Sequence, residues 1–115
     1  MMELDKKYVL HIPLYKYKNN ELIPIEIDHI IEDLIKKLDK EGYDSLYITD
    51  VKAYYKSRSF DEILISIFTS EEVLKKENKE SPSAIFKKWF KEHNYILEQE
   101  ALGYEYDNKM YIEEL

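Results

Sequence analysis

The order in which hydrophobic periodicity changes along the chain constrains its fold more than any other feature. Apolar residues alternate with a period of two from Tyr8 to Tyr17, then recur every three to four residues from Ile30 to Leu38. The two-residue period returns over Leu46 to Lys56 and again over Asp61 to Ser70. The helical period returns at Ile85, Phe86, Trp89 and Phe90, and a last extended stretch covers Tyr95 to Ala101. The resulting order is β-α-β-β-α-β in 115 residues, the length of a single domain spanning 1–115. There is no internal repeat.

Local signals fix several boundaries. In the first strand, Tyr8, Leu10, Ile12 and Leu14 form one face and Val9, His11, Pro13, Tyr15 and Tyr17 the other. Pro13 cannot donate to a ladder, which predicts an edge position or a bulge. Lys18-Asn19-Asn20-Glu21 predicts a turn, because Asn tolerates positive φ, and Leu22 to Ile25 an extended return. Asp28 suits an N-cap, and Gly42 a left-handed stop, with Tyr43 folding back on Leu38. Ser57-Arg58-Ser59-Phe60 is short enough to join two antiparallel strands, and the second of them is apolar on both faces, as an interior strand requires. Thr69-Ser70-Glu71-Glu72 has the spacing of a capping box before a short helical turn. Glu77 to Glu80 reads as a charged loop. Ser81-Pro82 starts the second helix, and Asn94 ends it. Leu102 to Tyr106 and Met110 to Ile112 can form an extra C-terminal hairpin around Asp107-Asn108-Lys109.

This order is the split β-α-β plan of ferredoxin-like α+β folds. It predicts a four-stranded antiparallel sheet with both helices on one face. The stripe Ile30, Ile31, Leu34, Ile35 and Leu38 should then share a core with Ile85, Phe86, Trp89 and Phe90, above Ile63, Ile65 and Ile67. The other sheet face carries Val9, His11, Pro13, Tyr15, Tyr17, Leu64, Ser66 and Phe68. The second strand adds either Tyr47, Thr49, Val51 and Tyr55 or Asp50, Lys52 and Tyr54, since a one-residue slip exchanges the two sets.

Composition excludes several classes. The chain has no Cys, hence no disulfide, thiolate metal site or Cys nucleophile. No apolar run approaches a membrane span, and the charged start Met1-Met2-Glu3-Leu4-Asp5 is unlike a signal peptide, so a cytoplasmic protein is expected. The net charge is -7, and acidity is concentrated at the C-terminal end, where six carboxylates from Tyr95 onward face one Lys. Nucleic-acid binding runs on cationic neutralisation of phosphate, so no nucleic-acid partner is expected. Gly42 and Gly103 stand alone, without a Gly-rich phosphate loop or a Gly-x-Ser-x-Gly elbow, and no cofactor is expected. His11, His29 and His93 have no metal-ligand spacing, and no metal site is expected.

The second sheet face is too apolar for a solvated surface, and its Tyr residues (11 in the chain) suit contact surfaces. Val9, Tyr17, Leu64 and Phe68 are the candidate interface residues. Three functional classes follow, in this order. The first is a protein-interaction or self-associating module, a homodimer or a docking domain for another protein. The second is a small ligand-binding domain or cofactor-independent enzyme of dimeric α+β-barrel type, with a pocket near His11 and Tyr15. The third is an acidic inhibitor or immunity-type protein that binds a basic partner. If there is a catalytic centre, His11 is its base, Tyr15 a hydroxyl donor to a developing oxyanion, and Asp50 a third member, provided that the second strand turns its even-numbered residues to that face.

Overall fold

The computed structural model describes residues 3–76 and 79–115. Residues 77–78, half of the charged loop expected at Glu77 to Glu80, and the first two residues of the expected charged start lie outside the described part.

The first strand, β1, runs from Lys6 to Pro13 and stops there. The Leu14 amide donates to the Asp61 carbonyl at 3.2 Å and its carbonyl accepts from Ile25 at 2.8 Å, so the ladder partners change at this residue. The expected strand to Tyr17 is thereby divided. Its second part, β2 (Tyr15–Lys18), pairs instead with β3 (Glu21–Pro24) in a separate two-stranded sheet. Asn19 and Asn20 both have positive φ (53° and 64°), the tight turn the sequence predicts. Pro13 is not on an edge strand. It ends an interior one, beyond the Tyr8–His11 stretch that pairs on the other side.

Helix α1 (Asp28–Lys40) buries Ile30, Ile31, Leu34 and Leu38. Its N-cap position is Ile27, which is buried in the core and makes no side-chain cap; Asp28 sits one residue on, in the first turn, where its charge favours the dipole. At the other end Gly42 takes φ 90°. Gly42 donates to the Asp39 carbonyl and Tyr43 to the Leu38 carbonyl, both at 2.9 Å, which is a Schellman closure with Tyr43 buried over Leu38.

Strands β4 (Leu46–Tyr55) and β5 (Arg58–Thr69) form an antiparallel hairpin. The expected four-residue connection is tighter in the structure. Lys56 and Ser57 alone make the turn, with φ 49° and 64°, and the ladder zips up to Tyr55–Arg58. In the short helix α2 (Glu71–Leu74) Ser70 is the cap, accepting from the Val73 amide at 3.2 Å. The reciprocal Glu of a capping box has no place there, since the third helical position is Val73.

Helix α3 (Pro82–Glu92) starts at Ser81 as expected, the Ser81 hydroxyl accepting from Ala84 at 3.2 Å. After it, Asn94–Leu97 is a helical turn, α4, and not a strand. The Asn94 amide holds both ends of the Gln99 backbone, accepting from its N–H at 3.0 Å and donating to its carbonyl at 3.1 Å, while Glu98 reverses the chain at φ 47°. These side-chain bonds outweigh the extended preference of Tyr95-Ile96-Leu97 and bury Leu97. The fourth strand of the main sheet is therefore the first arm of the terminal hairpin, β6 (Ala101–Tyr106), and its second arm, β7 (Lys109–Glu114), is a fifth strand. Asp107 and Asn108 turn it with φ 53° and 60°.

The protein is thus α+β: a five-stranded antiparallel sheet in the order β4-β5-β1-β6-β7, a two-stranded sheet, and four helices among the described residues. Four strands in the main sheet were expected. Leu10, Ile12, Ile65 and Ile67 share one core with the stripes of α1 and α3; Ile35 and Ile63 are partly buried against it. Trp89 is fully buried and its indole N–H donates to the Ile30 carbonyl at 2.7 Å, tying α3 to α1. Among the described residues no helix is long and apolar enough to cross a membrane.

Candidate functional site

Register decides which side chains meet on the face away from the helices. His11 pairs with Leu64 of β5 and Gly103 of β6, so the odd residues of β1 share a face with the even residues of β5. Tyr47 pairs with Ser66 and Thr49 with Leu64, which puts the odd residues of β4 on that face too. The choice left open by the sequence falls on Tyr47, Thr49, Val51 and Tyr55. Asp50 lies on the opposite face, paired with Ile63, and is not brought to His11. Val9 is buried, and Leu64 and Phe68 are half-buried; the Tyr47 ring stands edge-on to Phe68 at 5.8 Å. Tyr17 is exposed on β2.

His11 is held between two carboxylates from different strands. Its Nε2 lies 2.6 Å from Glu105 Oε2 on β6 and its Nδ1 3.4 Å from Glu62 Oε2 on β5. Hydrogen bonding to Glu62, only partly opposed by burial, and then to Glu105 raises the imidazole pKa above its ordinary value. With one ring nitrogen on each carboxylate, the imidazole bridges β5 to β6 and fixes Glu62.

Glu62 also lines a cleft of about 570 Å³ between β2, the start of β5 and the α4–β6 loop. Asp61, Glu62, Glu98 and Glu100 contribute four carboxylates to its wall, against the single ammonium of Lys16. Lys16 is paired with Glu98, whose carboxyl that pair holds below the usual range. The Tyr15 hydroxyl lines the cleft and donates to Asp61 Oδ2 at 2.9 Å, which raises the Tyr15 pKa. Its proton is committed to Asp61, so Tyr15 orders a carboxylate in place of an oxyanion. The Gln99 side chain donates to the Tyr15 carbonyl at 3.1 Å and to Leu97 at 2.9 Å, fastening the loop to β2. His11 lines a smaller adjoining hollow of about 210 Å³. The two share Pro13, Glu62, Gln99 and Ala101, so His11 and Tyr15 stand on either side of Glu62 and not in one pocket.

Asp61 and Glu62 are thus the site residues that sequence reasoning passed over, while Glu98, Glu100 and Glu105 entered it only as part of the acidic C-terminal run. Their only linear signal was position, at the start of β5 and in the acidic C-terminal segment.

A second polar group lies between the helices. His93 Nε2 meets Asp33 Oδ2 at 2.9 Å, and ligand atoms of Asp33, Glu92 and His93 fall within 4.8 Å of one another. Lys37 already lies 3.7 Å from Asp33 and 3.6 Å from Glu92. A metal on Nε2 would move the ring proton to Nδ1, which is buried without a partner, whereas metal-bound histidines donate from their second nitrogen. The arrangement works as an ion-pair network joining α1 to α3, and it holds Asp33 below its usual pKa. His93 is also the C-cap residue of α3, its backbone N–H donating to the Trp89 carbonyl at 3.0 Å. His29 is exposed.

No family model matches the chain. No curated protein matches it either. Two solved structures share its fold. A phage SAM lyase in the apo state aligns over 100% of this chain and 95% of its own, with a TM-score of 0.61 and 14% identity. A phage SAM lyase in complex with S-methyl-5'-thioadenosine aligns over the same shares, with a TM-score of 0.61 and 13% identity.

Proposed function

We propose that the protein is a small ligand-binding domain or cofactor-independent enzyme, and that the acidic cleft beside Tyr15 takes a small organic cation of the sulfonium class, as in S-adenosylmethionine. The observation that carries this reading is the charge of the cleft, four carboxylates against one ammonium in about 570 Å³. That volume suits a metabolite, and carboxylates gathered in a cleft concentrate cations there. A sulfonium is a permanent cation without a proton to donate, so carboxylates and aromatic faces are the groups that hold it. The shared fold with phage SAM lyase supports the same ligand class.

The geometry suggests how the residues divide the work. His11 holds Glu62 from outside the cleft, and Tyr15 holds Asp61 from within its wall. The pre-ordered pair binds and orients the cation, which lowers the entropic part of a barrier. When a nucleophile forms a bond to one of the sulfonium's carbons as the C–S bond breaks, the carbon group leaves on the nucleophile, the C–S electron pair stays on sulfur and a neutral thioether remains. The cleft then loses its hold on the product, which favours release.

The test compares S-adenosylmethionine with S-adenosylhomocysteine, its neutral thioether, by calorimetric titration and by chromatography of the products. Binding at least about tenfold tighter for the sulfonium is expected, with the preference removed in the Asp61→Asn, Glu62→Gln double variant. Equal affinities, or no binding up to millimolar ligand, would overturn the reading.

The strand order β4-β5-β1-β6 supports the ferredoxin-like plan, with β7 and the β2–β3 hairpin as additions. A second reading, self-association, is favoured by exposed apolar side chains on the open face. Tyr47 is 64% exposed and Ile112 74%.

A further inference from the structure

We propose that Arg58, with Tyr17, Tyr55, Lys56 and Phe60, forms a second subsite continuous with the acidic cleft, which takes the carboxylate of a zwitterionic ligand whose cationic centre lies by Asp61 and Glu62. This rests on the cleft reading above and adds the other end of the ligand to it.

Arg58 is the one arginine in a chain with 24 acidic residues. Among the described residues it belongs to none of the ion pairs. Its Nη1 donates to the Tyr17 hydroxyl oxygen, a neutral acceptor. A guanidinium carries five donors in a rigid fork matched to carboxylate, so most of this one's capacity is uncommitted. The local structure explains how the group is assembled. The two-residue turn at Lys56 and Ser57 sets Tyr55 directly across from Arg58, and Lys56 folds over the Tyr55 ring at 5.3 Å. The β2–β3 hairpin brings Tyr17 to the same place from the other side.

These five residues line a cavity of about 400 Å³ with two cations and no carboxylate in its wall. Tyr17 and Phe60 line both this cavity and the acidic cleft. The surface is therefore one trough with opposite charge at its two ends and aromatic rings where they meet. A purely cationic ligand leaves the Arg58 end unmatched. An amino-acid group attached to a sulfonium or ammonium matches both, and the reversed orientation sets like charges against each other at each end. The Tyr17 bond pre-orders the guanidinium, which reduces the entropy lost on binding.

The experiment measures the affinities of S-adenosylmethionine and of decarboxylated S-adenosylmethionine, which keeps the sulfonium and lacks the carboxylate, for the full chain and for Arg58→Gln. The ratio of the two affinities is the quantity read. Arg58→Gln should shift it by about tenfold toward the decarboxylated probe, the size of one charged hydrogen-bonded contact. Arg58→Lys should shift it less, because it keeps the charge without the fork; it also serves if the Gln variant folds poorly by circular dichroism. A ratio unchanged within about twofold in both variants, with both probes still bound, overturns the subsite and leaves the cleft standing: Arg58 would then only staple the hairpin through Tyr17. Failure of both probes to bind the unaltered chain overturns the cleft reading and this inference with it.

Discussion

His11 shows how far a residue's role depends on its partners. By type it is one of three side chains that titrate near neutrality unperturbed, and it is the one on the open sheet face, which makes it the obvious candidate base. Between Glu62 and Glu105 it is a proton holder. The consequence for stability has a definite sign. The folded state binds the His11 proton more tightly than the unfolded chain, whose value is about 6.5. The contribution is therefore fully present below pH 6.5 and is lost as pH rises through the higher folded-state value. His11→Gln should cost about 1 kcal/mol below pH 6.5, a modest figure because the bridge is partly solvated. The difference from the unaltered protein should shrink as the pH is raised, read by urea unfolding at several pH values. A difference that grows with pH would mean that His11 is not the proton-holding bridge between Glu62 and Glu105 described here.

Hairpins are the elements that build the trough, and all three turn on two residues of positive φ without a glycine. At Asn19-Asn20 and Asp107-Asn108 the residue types tolerate that backbone. At Lys56-Ser57 they do not, and each left-handed non-glycine residue costs about 1 kcal/mol. Ser57→Gly should stabilise the protein by about 1 kcal/mol, seen as a higher urea midpoint at unchanged slope. No gain would indicate that the turn relaxes in solution. The strain also explains why the sequence suggested a looser four-residue connection there. Lys and Ser do not favour positive φ, and the pairing of Tyr55 with Arg58 is what holds them in the turn.

The whole molecule presents two unlike sheet faces. One is covered by α1 and α3 over its centre, with Ile48 and Tyr54 left exposed along the β4 edge; the other leaves Tyr47, Tyr55, Met110 and Ile112 in solvent around the His11 bridge. Covering that face with a second copy would bury on the order of 1,000 Å² in total, the lower bound for a stable interface. Sedimentation across micromolar to millimolar protein should show a rising mean mass. Phe68→Asp should hold the chain monomeric with its helices intact, because a carboxylate in the contact would be buried unpaired. A mass that does not change with concentration would exclude this association and leave the ligand trough as the functional surface.

Much of this architecture was legible from local pattern. The helix stripes, the Gly42 stop, the Ser81-Pro82 start and the three hairpins each depend on residues close in sequence, whose preferences act before any long-range contact forms. The β1 break at Leu14 and the helical turn at Asn94–Leu97 were not legible, since each depends on a bond to a group elsewhere: Asp61 and Ile25 in one case, the Gln99 backbone in the other. The site lay further out of reach. His11 and Tyr15 could be singled out by type. Their partners Glu62, Glu105 and Asp61 are 51, 94 and 46 residues away and are joined to them by strand register or hairpin placement. Register is set by how two faces of a sheet share one apolar core. That is a property of the folded molecule, so the chemistry of the trough became visible only once the strands were in place.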